Sequence, residues 1–344
     1  MEPQCDRCKE FYDQGAHYCG CCGYRFPHVK GQIPIFDKLM IALSAFACLF
    51  IAGELLILLL KSPAVFSIAG DFGIGIQVII PTPTRIATLT GIGSEIWWIM
   101  LVCALTAAVC YGIWRYLKAA KISKAEGEPE NLMKTGLFWV AILFSANLAL
   151  EVVLMYIAMA CGLTIDSSWM NDYTHEELLL MLAHASFWEE IITRVIFIGI
   201  PMFVIQIIRT KKLNAAKYLV GGFGMSKAAV VLIVFSGIMF GLAHDSGWGM
   251  TKAAITCIGG IVMGYVFVRF GLYASILMHF MTDYLSSFMY SGFGLSFISI
   301  IGMLVFLIMG FVAIAFIIKR IPKGKNALID IFKGYPVFND KLSE

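Results

Sequence analysis

The sequence predicts a helical bundle built for a lipid bilayer, and three observations carry that prediction. Of the 344 residues, 59% are hydrophobic and only 14% are charged, against roughly 25% charged in an ordinary soluble domain. The mean hydropathy of +0.81 requires several apolar runs of about 20 residues, the length that crosses a bilayer as a helix. Lys and Arg gather in alternate connectors, as they do when those connectors face the cytoplasm. This composition excludes a soluble globular domain. A net charge of +3 is too small to suggest a nucleic-acid partner.

Apolar runs lie at 39–60, 95–117, 136–161, 178–208, 228–248, 252–268, 272–290 and 297–318, and they predict eight spans. An even number puts both termini on one side. With the termini inside, the inner segments 1–38, 115–134, 209–227, 269–271 and 319–344 hold 22 of the 26 Lys and Arg residues. Outside fall Lys61, Arg85 and Lys252, and Arg194 lies within a span. The expected organisation is a cytoplasmic segment 1–30, a transmembrane domain 36–320 and a cytoplasmic tail 321–344, in a plasma membrane of bacterial type. No cleavable leader is expected, because the first 33 residues are polar and the first apolar run starts late.

Two connectors have character of their own. Segment 62–94 is rich in Gly, Pro and Thr, with alternating stretches flanking Pro81-Thr-Pro-Thr, which fits an external hairpin or a re-entrant segment. Segment 164–177 carries Asp166, Asp172, Glu176 and Glu177 and reads as a solvated rim.

Of ten cysteines, five fall within the first 22 residues. Cys5 and Cys8, then Cys19 and Cys22, form two C-x2-C knuckles ten residues apart, with Gly20 and Gly23 where the chain must turn tightly. Four thiolates at that spacing suit a closed tetrahedral zinc site. Such a site folds a short segment without a hydrophobic core, and it leaves no open coordination position for chemistry. The segment resembles a short zinc ribbon, structural in role or a docking module for a cytoplasmic protein partner. The scattered cysteines, Cys48, Cys103, Cys110, Cys161 and Cys257, are expected to pack as small hydrophobes.

Ionisable side chains at membrane depth cost about 2.5 to 3.5 kcal/mol each on insertion scales, so each needs a reason. The fourth run contains Trp188-Glu189-Glu190-Ile-Ile-Thr193-Arg194. Glu190 and Arg194, four apart, share a helical face and can pair. Glu189 is turned away by about 100° and lacks a local cation, which suits it to exchange protons with water. The fifth run ends in Phe240-Gly-Leu-Ala-His244, and the seventh holds His279-Phe-Met-Thr-Asp283, again at i, i+4. One unpaired Glu, two His and one Asp from three spans make a water-activating or metal-binding centre.

These residues resemble the CPBP intramembrane proteases, also called the Abi or CAAX-protease family. All three motifs occur in order: E-E-x-x-x-R as Glu189, Glu190 and Arg194, F-x-x-x-H as Phe240 and His244, and H-x-x-x-N/D as His279 and Asp283. The resemblance implies a core at 176–292 and hydrolysis of a peptide bond in a membrane-associated protein or peptide precursor. Glu189 and His244 would activate water, His279 and Asp283 would stabilise the oxyanion, and Glu190, Arg194 and Phe240 would support them. A second zinc held by Glu189, His244 and His279 is the metal-assisted alternative. Asp283 stands where CAAX-processing members carry Asn. An ionised Asp would repel an oxyanion, whereas a protonated one would donate to it, so orientation of His279 or metal ligation are alternatives for Asp283. Thr193 and Val195 stand where members often have an aromatic residue and a glycine.

The motifs also pose a depth problem. At 1.5 Å per residue, Glu189 lies about 17 Å from the external end of its run and His244 about 24 Å from the cytoplasmic end of its own, so they meet only if a helix tilts or shifts. Gly260-Ile-Val-Met-Gly264 reads as a close-packing face, and Pro201 is expected to kink or end the fourth span. Glu54, Glu151 and His184 also lie at membrane depth. Two competing classes are a non-proteolytic immunity or docking protein on this scaffold and a proton-coupled transporter, against which no inverted repeat is visible.

Overall fold

The computed structural model describes residues 8, 34–79, 82–126, 129–164, 170, 172–211, 215–285 and 296–333. Contacts divide the chain into two units, Met1–Lys38 and Leu39–Glu344. Within the first unit, Cys8 is buried. Cys5, Cys19 and Cys22 lie outside the described residues, as does the rest of the expected ribbon.

Among the described residues from Leu39 on, the regular structure is helical apart from one hairpin, because a backbone in hydrocarbon has to satisfy its own hydrogen bonds. In order come α1 (Ile35–Phe72), β1 (Ile74–Ile79), β2 (Pro83–Leu89), α2 (Ile92–Glu126) and α3 (Gly136–Ala160). Then follow α4 (His175–Glu190), a π-helical stretch at Ile191–Gly199, α5 (Ile200–Thr210), α6 (Lys227–Leu242), α7 (Met250–Phe270), α8 (Leu272–Tyr284) and α9 (Ser296–Lys333). Short polar side chains set several starts: Thr135 caps α3, Ser226 caps α6, and Thr174 forms a capping box with Glu177 on α4, satisfying backbone donors that open a helix. Glu177 is thus a capping residue, and Glu176 lies 3.9 Å from Lys61; both rim acids have local structural partners.

Among the described residues, six helices are long and apolar enough to cross a membrane. The other two expected spans are shorter helices, α6 with 16 residues and α8 with 13. Each ends within two residues of a motif residue, His244 and Asp283. Pro201 does not end the fourth span: the helix runs on to Thr210, with Pro201 in its first turn. The preceding π turns, in which the Ile200 N–H reaches Val195 O, loosen the ladder where a proline removes a donor.

β1 and β2 pair antiparallel from Ile74↔Leu89 to Ile79↔Pro83, with an irregularity at Ile76/Gln77, as the hairpin alternative predicts. In the bundle, Phe306 of α9 is the aromatic hub, its ring centroid 5.2 Å from those of Phe46 and Phe50 on α1 and 5.1 Å from that of Phe144 on α3. α6 and α7 approach almost backbone to backbone. A side chain on Gly237 or Gly241 would collide with the α7 backbone, and one on Gly260 with that of Gly237, so the small-residue face works as packing. The scattered cysteines depart from expectation. Cys103, Cys110 and Cys161 are exposed, and only Cys48 and Cys257 are partly covered. An apolar thiol on an outward face suits lipid as well as a core does.

Candidate active site

Glu189 and Glu190 end α4, and the π stretch begins immediately after them. Arg194 folds back so that its Nε donates to Glu190 Oε2 at 3.1 Å, and both side chains are fully buried. This is the pairing the spacing predicts. Arg194 Nη1 donates to Ser236 Oγ at 2.8 Å, and Ser236 in turn donates to the Thr193 carbonyl at 2.6 Å. The guanidinium lies over the Phe240 ring, 5.2 Å from its centroid, a cation–π contact with α6. Thr193 Oγ1 donates to the Glu189 carbonyl, so this hydroxyl braces the turn that carries the glutamates.

The other oxygen of Glu190 reaches across the bundle. Glu190 Oε1 lies 3.0 Å from His279 Nδ1 on α8. Because this carboxylate already accepts from Arg194, His279 donates through Nδ1–H, which fixes the ring and aims Nε2 the other way. Nε2 faces Asp283 Oδ2 at 3.5 Å and Glu189 Oε2 at 3.8 Å. Asp283 Oδ2 also accepts from Ser186 Oγ at 2.7 Å. Glu189 is therefore not isolated: its facing cation-capable group is His279, and a third of its side chain is exposed.

His244 sits two residues beyond the end of α6, as the N-cap of the one-turn helix Asp245–Trp248. Its Nδ1 lies 2.8 Å from the Phe240 carbonyl. A carbonyl only accepts, so Nδ1 carries the proton, and in the neutral ring Nε2 keeps its lone pair. The Phe240 ring stands between both histidines, with centroid distances of 4.9 Å to His244 and 5.6 Å to His279. His244 also acts electrostatically on Asp283. One locus thus gathers Glu189, Glu190, Arg194, Phe240, His244, His279 and Asp283.

Residues 176–285 match the family model described as Type II CAAX prenyl endopeptidase Rce1-like. No curated protein and no solved structure gives a significant match. The Rce1-like segment runs from α4 to the end of α8 and contains all three motifs; α1 to α3 and α9 lie outside it. The match supports the CAAX-protease resemblance and, with it, an intramembrane endopeptidase in a lipid bilayer acting on a membrane-associated substrate.

Among the described residues, no three His, Cys, Asp or Glu side chains are grouped as a metal ion requires. Because His279 Nδ1 is engaged by Glu190, Nε2 is the ring nitrogen that a metal would have to use.

Three serines of the Rce1-like segment escaped the motif reading: Ser186 on Asp283, Ser236 on Arg194, and the buried Ser275, whose Oγ donates to the Leu272 carbonyl at 3.1 Å. A signal was present. Each serine stands one helical turn before a motif residue, at Ser186/Glu190, Ser236/Phe240 and Ser275/His279, and i, i+4 residues share a face. His184 belongs to an aromatic roof. Its Nδ1 accepts from Trp97 Nε1 at 3.1 Å, its ring is near parallel to Trp188, and Trp188 Nε1 donates to the Gln77 carbonyl of β1 at 2.8 Å. The hairpin is thereby tied to the helix that carries Glu189.

Proposed function

We propose that this chain is an intramembrane endopeptidase that hydrolyses a peptide bond of a membrane-associated protein or peptide precursor with water activated by Glu189 and His244. The observation that carries the reading is the 3.0 Å contact of Glu190 with His279 Nδ1. It holds the imidazole with Nε2 toward a carboxylate that is open to water. Catalytic sites pair one fixed polar group with one reactive group in this way.

In this reading Glu189 takes a proton from water, whose oxygen adds to the substrate carbonyl carbon, and His244 Nε2 helps orient that water. The carbonyl oxygen becomes an oxyanion, and His279 donates to it through Nε2–H. Asp283 balances the charge on His279 and is itself oriented by Ser186. Glu189 then gives its proton to the leaving nitrogen as the C–N bond breaks. One water is consumed, yielding a new carboxyl and a new amine.

The N-terminal set Cys5, Cys8, Cys19 and Cys22 would hold a structural zinc and present a docking surface to a cytoplasmic partner, with both termini on the basic, cytoplasmic side. Metal content checks this part. The double variant Cys5→Ser, Cys8→Ser should lose its zinc. A zinc retained there but lost on His279→Ala would favour the metal-assisted mechanism.

The decisive experiment compares peptide termini between cells expressing the wild type and cells expressing Glu189→Ala at matched membrane levels. New termini present only with the wild type support proteolysis and reveal the substrate class. If the profiles coincide while both proteins confer the same phenotype, the immunity or docking reading replaces this one.

A further inference from the structure

The hairpin between α1 and α2 has no part in the mechanism above, and it lies outside the segment that carries the motifs. Two contacts place it along α4. Phe72, which ends α1, has its ring centroid 6.0 Å from that of Tyr173, the residue before the Thr174 cap of α4. Farther along, the Gln77 carbonyl accepts from Trp188 Nε1 at 2.8 Å, and Trp188 immediately precedes Glu189. β1 therefore runs along α4 from its capped start toward Glu189. Ile74, Ile76 and Ile79 of this strand are buried.

β2 is the opposite. The sheet has two strands, so each strand has one edge that its partner does not cover. Thr84, Arg85, Ile86, Ala87 and Thr88 are all exposed. Among the described residues, no backbone hydrogen bond joins these five to any element but β1. Natural edge strands are commonly blocked by an outward charge or a proline. Here the one charged residue of the strand, Arg85, lies over the neighbouring strand: a side chain added at Gly75 would come within 2.8 Å of its Nε. Pro83 stands at the first position of β2, ahead of the exposed run. Open sheet edges do not occur against hydrocarbon, and irregular or extended backbone at membrane depth borders protein or water. The edge is a row of donors and acceptors ready for a partner.

A substrate cut inside a membrane has the matching need. In a helix each peptide carbonyl is bonded within the turn, so water reaches a scissile carbonyl only where the segment has unwound. The unwound segment then has to find new partners for its N–H and C=O groups. We propose that the free edge of β2, residues 84–88, takes up the unwound segment of the substrate as a third strand and so presents the adjoining peptide bond to Glu189. The identity of the occupant rests on the endopeptidase reading. Strand addition draws its affinity from main-chain hydrogen bonds, so the paired stretch of the substrate is recognised as extended polypeptide rather than by one fixed side chain.

The test uses the full chain in lipid nanodiscs, carrying Glu189→Ala so that nothing bound is cut, and a synthetic peptide of alternating Thr and Val. Hydrogen exchange read by mass spectrometry should show the outward amides of residues 84–88 slowed about tenfold or more by the peptide, with α8 unchanged. The same peptide N-methylated at every amide keeps its side chains but has no donor for a strand edge, and it should give no slowing. Equal slowing by both peptides would overturn the proposal, because side chains would then carry the binding. So would a first peptide that leaves residues 84–88 unprotected up to its solubility limit. Neighbouring residues of a strand point their N–H groups to opposite sides, so one of Ala87→Pro and Thr88→Pro keeps the ladder to β1 and loses an outward donor. That variant should bind the peptide about tenfold more weakly, and undiminished binding would also overturn the proposal. If neither proline variant folds, the two peptides decide. Failure of the endopeptidase reading would show elsewhere, as Glu189→Ala leaving cellular peptide termini unchanged.

Discussion

Glu189 and Glu190 are chain neighbours with opposite surroundings. Glu190 has no exposed side-chain surface, and its two oxygens are divided between Arg194 at 3.1 Å and His279 at 3.0 Å. Glu189 is a third exposed, and its contact with His279 is 3.8 Å. One half of the site is densely bonded, with Glu190, Arg194, Ser236 and Phe240 locked together and Arg194 Nη2 the atom there without a hydrogen-bond partner among the described residues. The other half, with Glu189, His244 and the outward nitrogen of His279, is loosely bonded. A buried charge that is fully bonded can hold geometry but has no capacity left for a substrate, while a carboxylate reached by water can exchange protons. The contrast predicts that substitutions in the two halves fail differently.

The largest effect is expected at Glu189. Glu189→Gln keeps the shape and removes the base, so activity should fall by about a hundredfold to ten-thousandfold with thermal stability unchanged. An active Glu189→Gln would move the base elsewhere and break the comparison. Next comes Arg194→Met, which leaves Glu190 buried without its cation. Removing one partner of such a pair costs about 3–5 kcal/mol, visible as a lower unfolding midpoint in detergent. The double variant Glu190→Gln, Arg194→Met should recover part of that loss, since the orphaned charge is gone. No recovery would mean that Arg194 matters through Phe240 and Ser236 instead.

The densely bonded half was the more legible half in the sequence. Glu190 and Arg194 are linked by a local rule, the i, i+4 spacing, and the structure realises it. The hairpin was legible for a similar reason, since alternation around a Pro-Thr turn is a short-range signal. What the sequence hid is long-range. Nothing local says that His279 turns to Glu190 across 89 positions, or that Ser186 reaches Asp283 across 97. Hydropathy also overcounted the long spans, because an apolar run does not announce where its helix stops. α6 ends at Leu242 although the run continues to Trp248. Pro201 misled in the opposite direction, since the π stretch before it absorbs the lost hydrogen bond. The ribbon cysteines other than Cys8 lie outside the described residues, so that local motif rests on its spacing alone.

A smaller effect is expected where the reactive half is braced. Ser186→Ala removes the donor to Asp283 Oδ2, and a hydrogen bond to a charged group contributes about 1.5–3 kcal/mol. The loss should appear in kcat more than in KM, because Asp283 acts through His279 rather than on the bound substrate. A change confined to KM would instead place Ser186 in the substrate's path.

The smallest effect, and the one that tests how far the contrast extends, is expected at Trp188→Phe. Phenylalanine retains an aromatic ring beside Trp97, whose centroid lies 5.6 Å from that of Trp188, and loses the indole donor to the Gln77 carbonyl. That bond is exposed, so its loss should cost near the lower end of about 0.5–1.5 kcal/mol. Hydrogen exchange resolves an effect of that size. Amides of β1 and β2 should exchange severalfold faster, while those of α8 around His279 stay protected, because Glu190 holds His279 independently of the hairpin. If α8 loosens together with the strands, the densely bonded half depends on the roof, and the two halves are one cooperative unit.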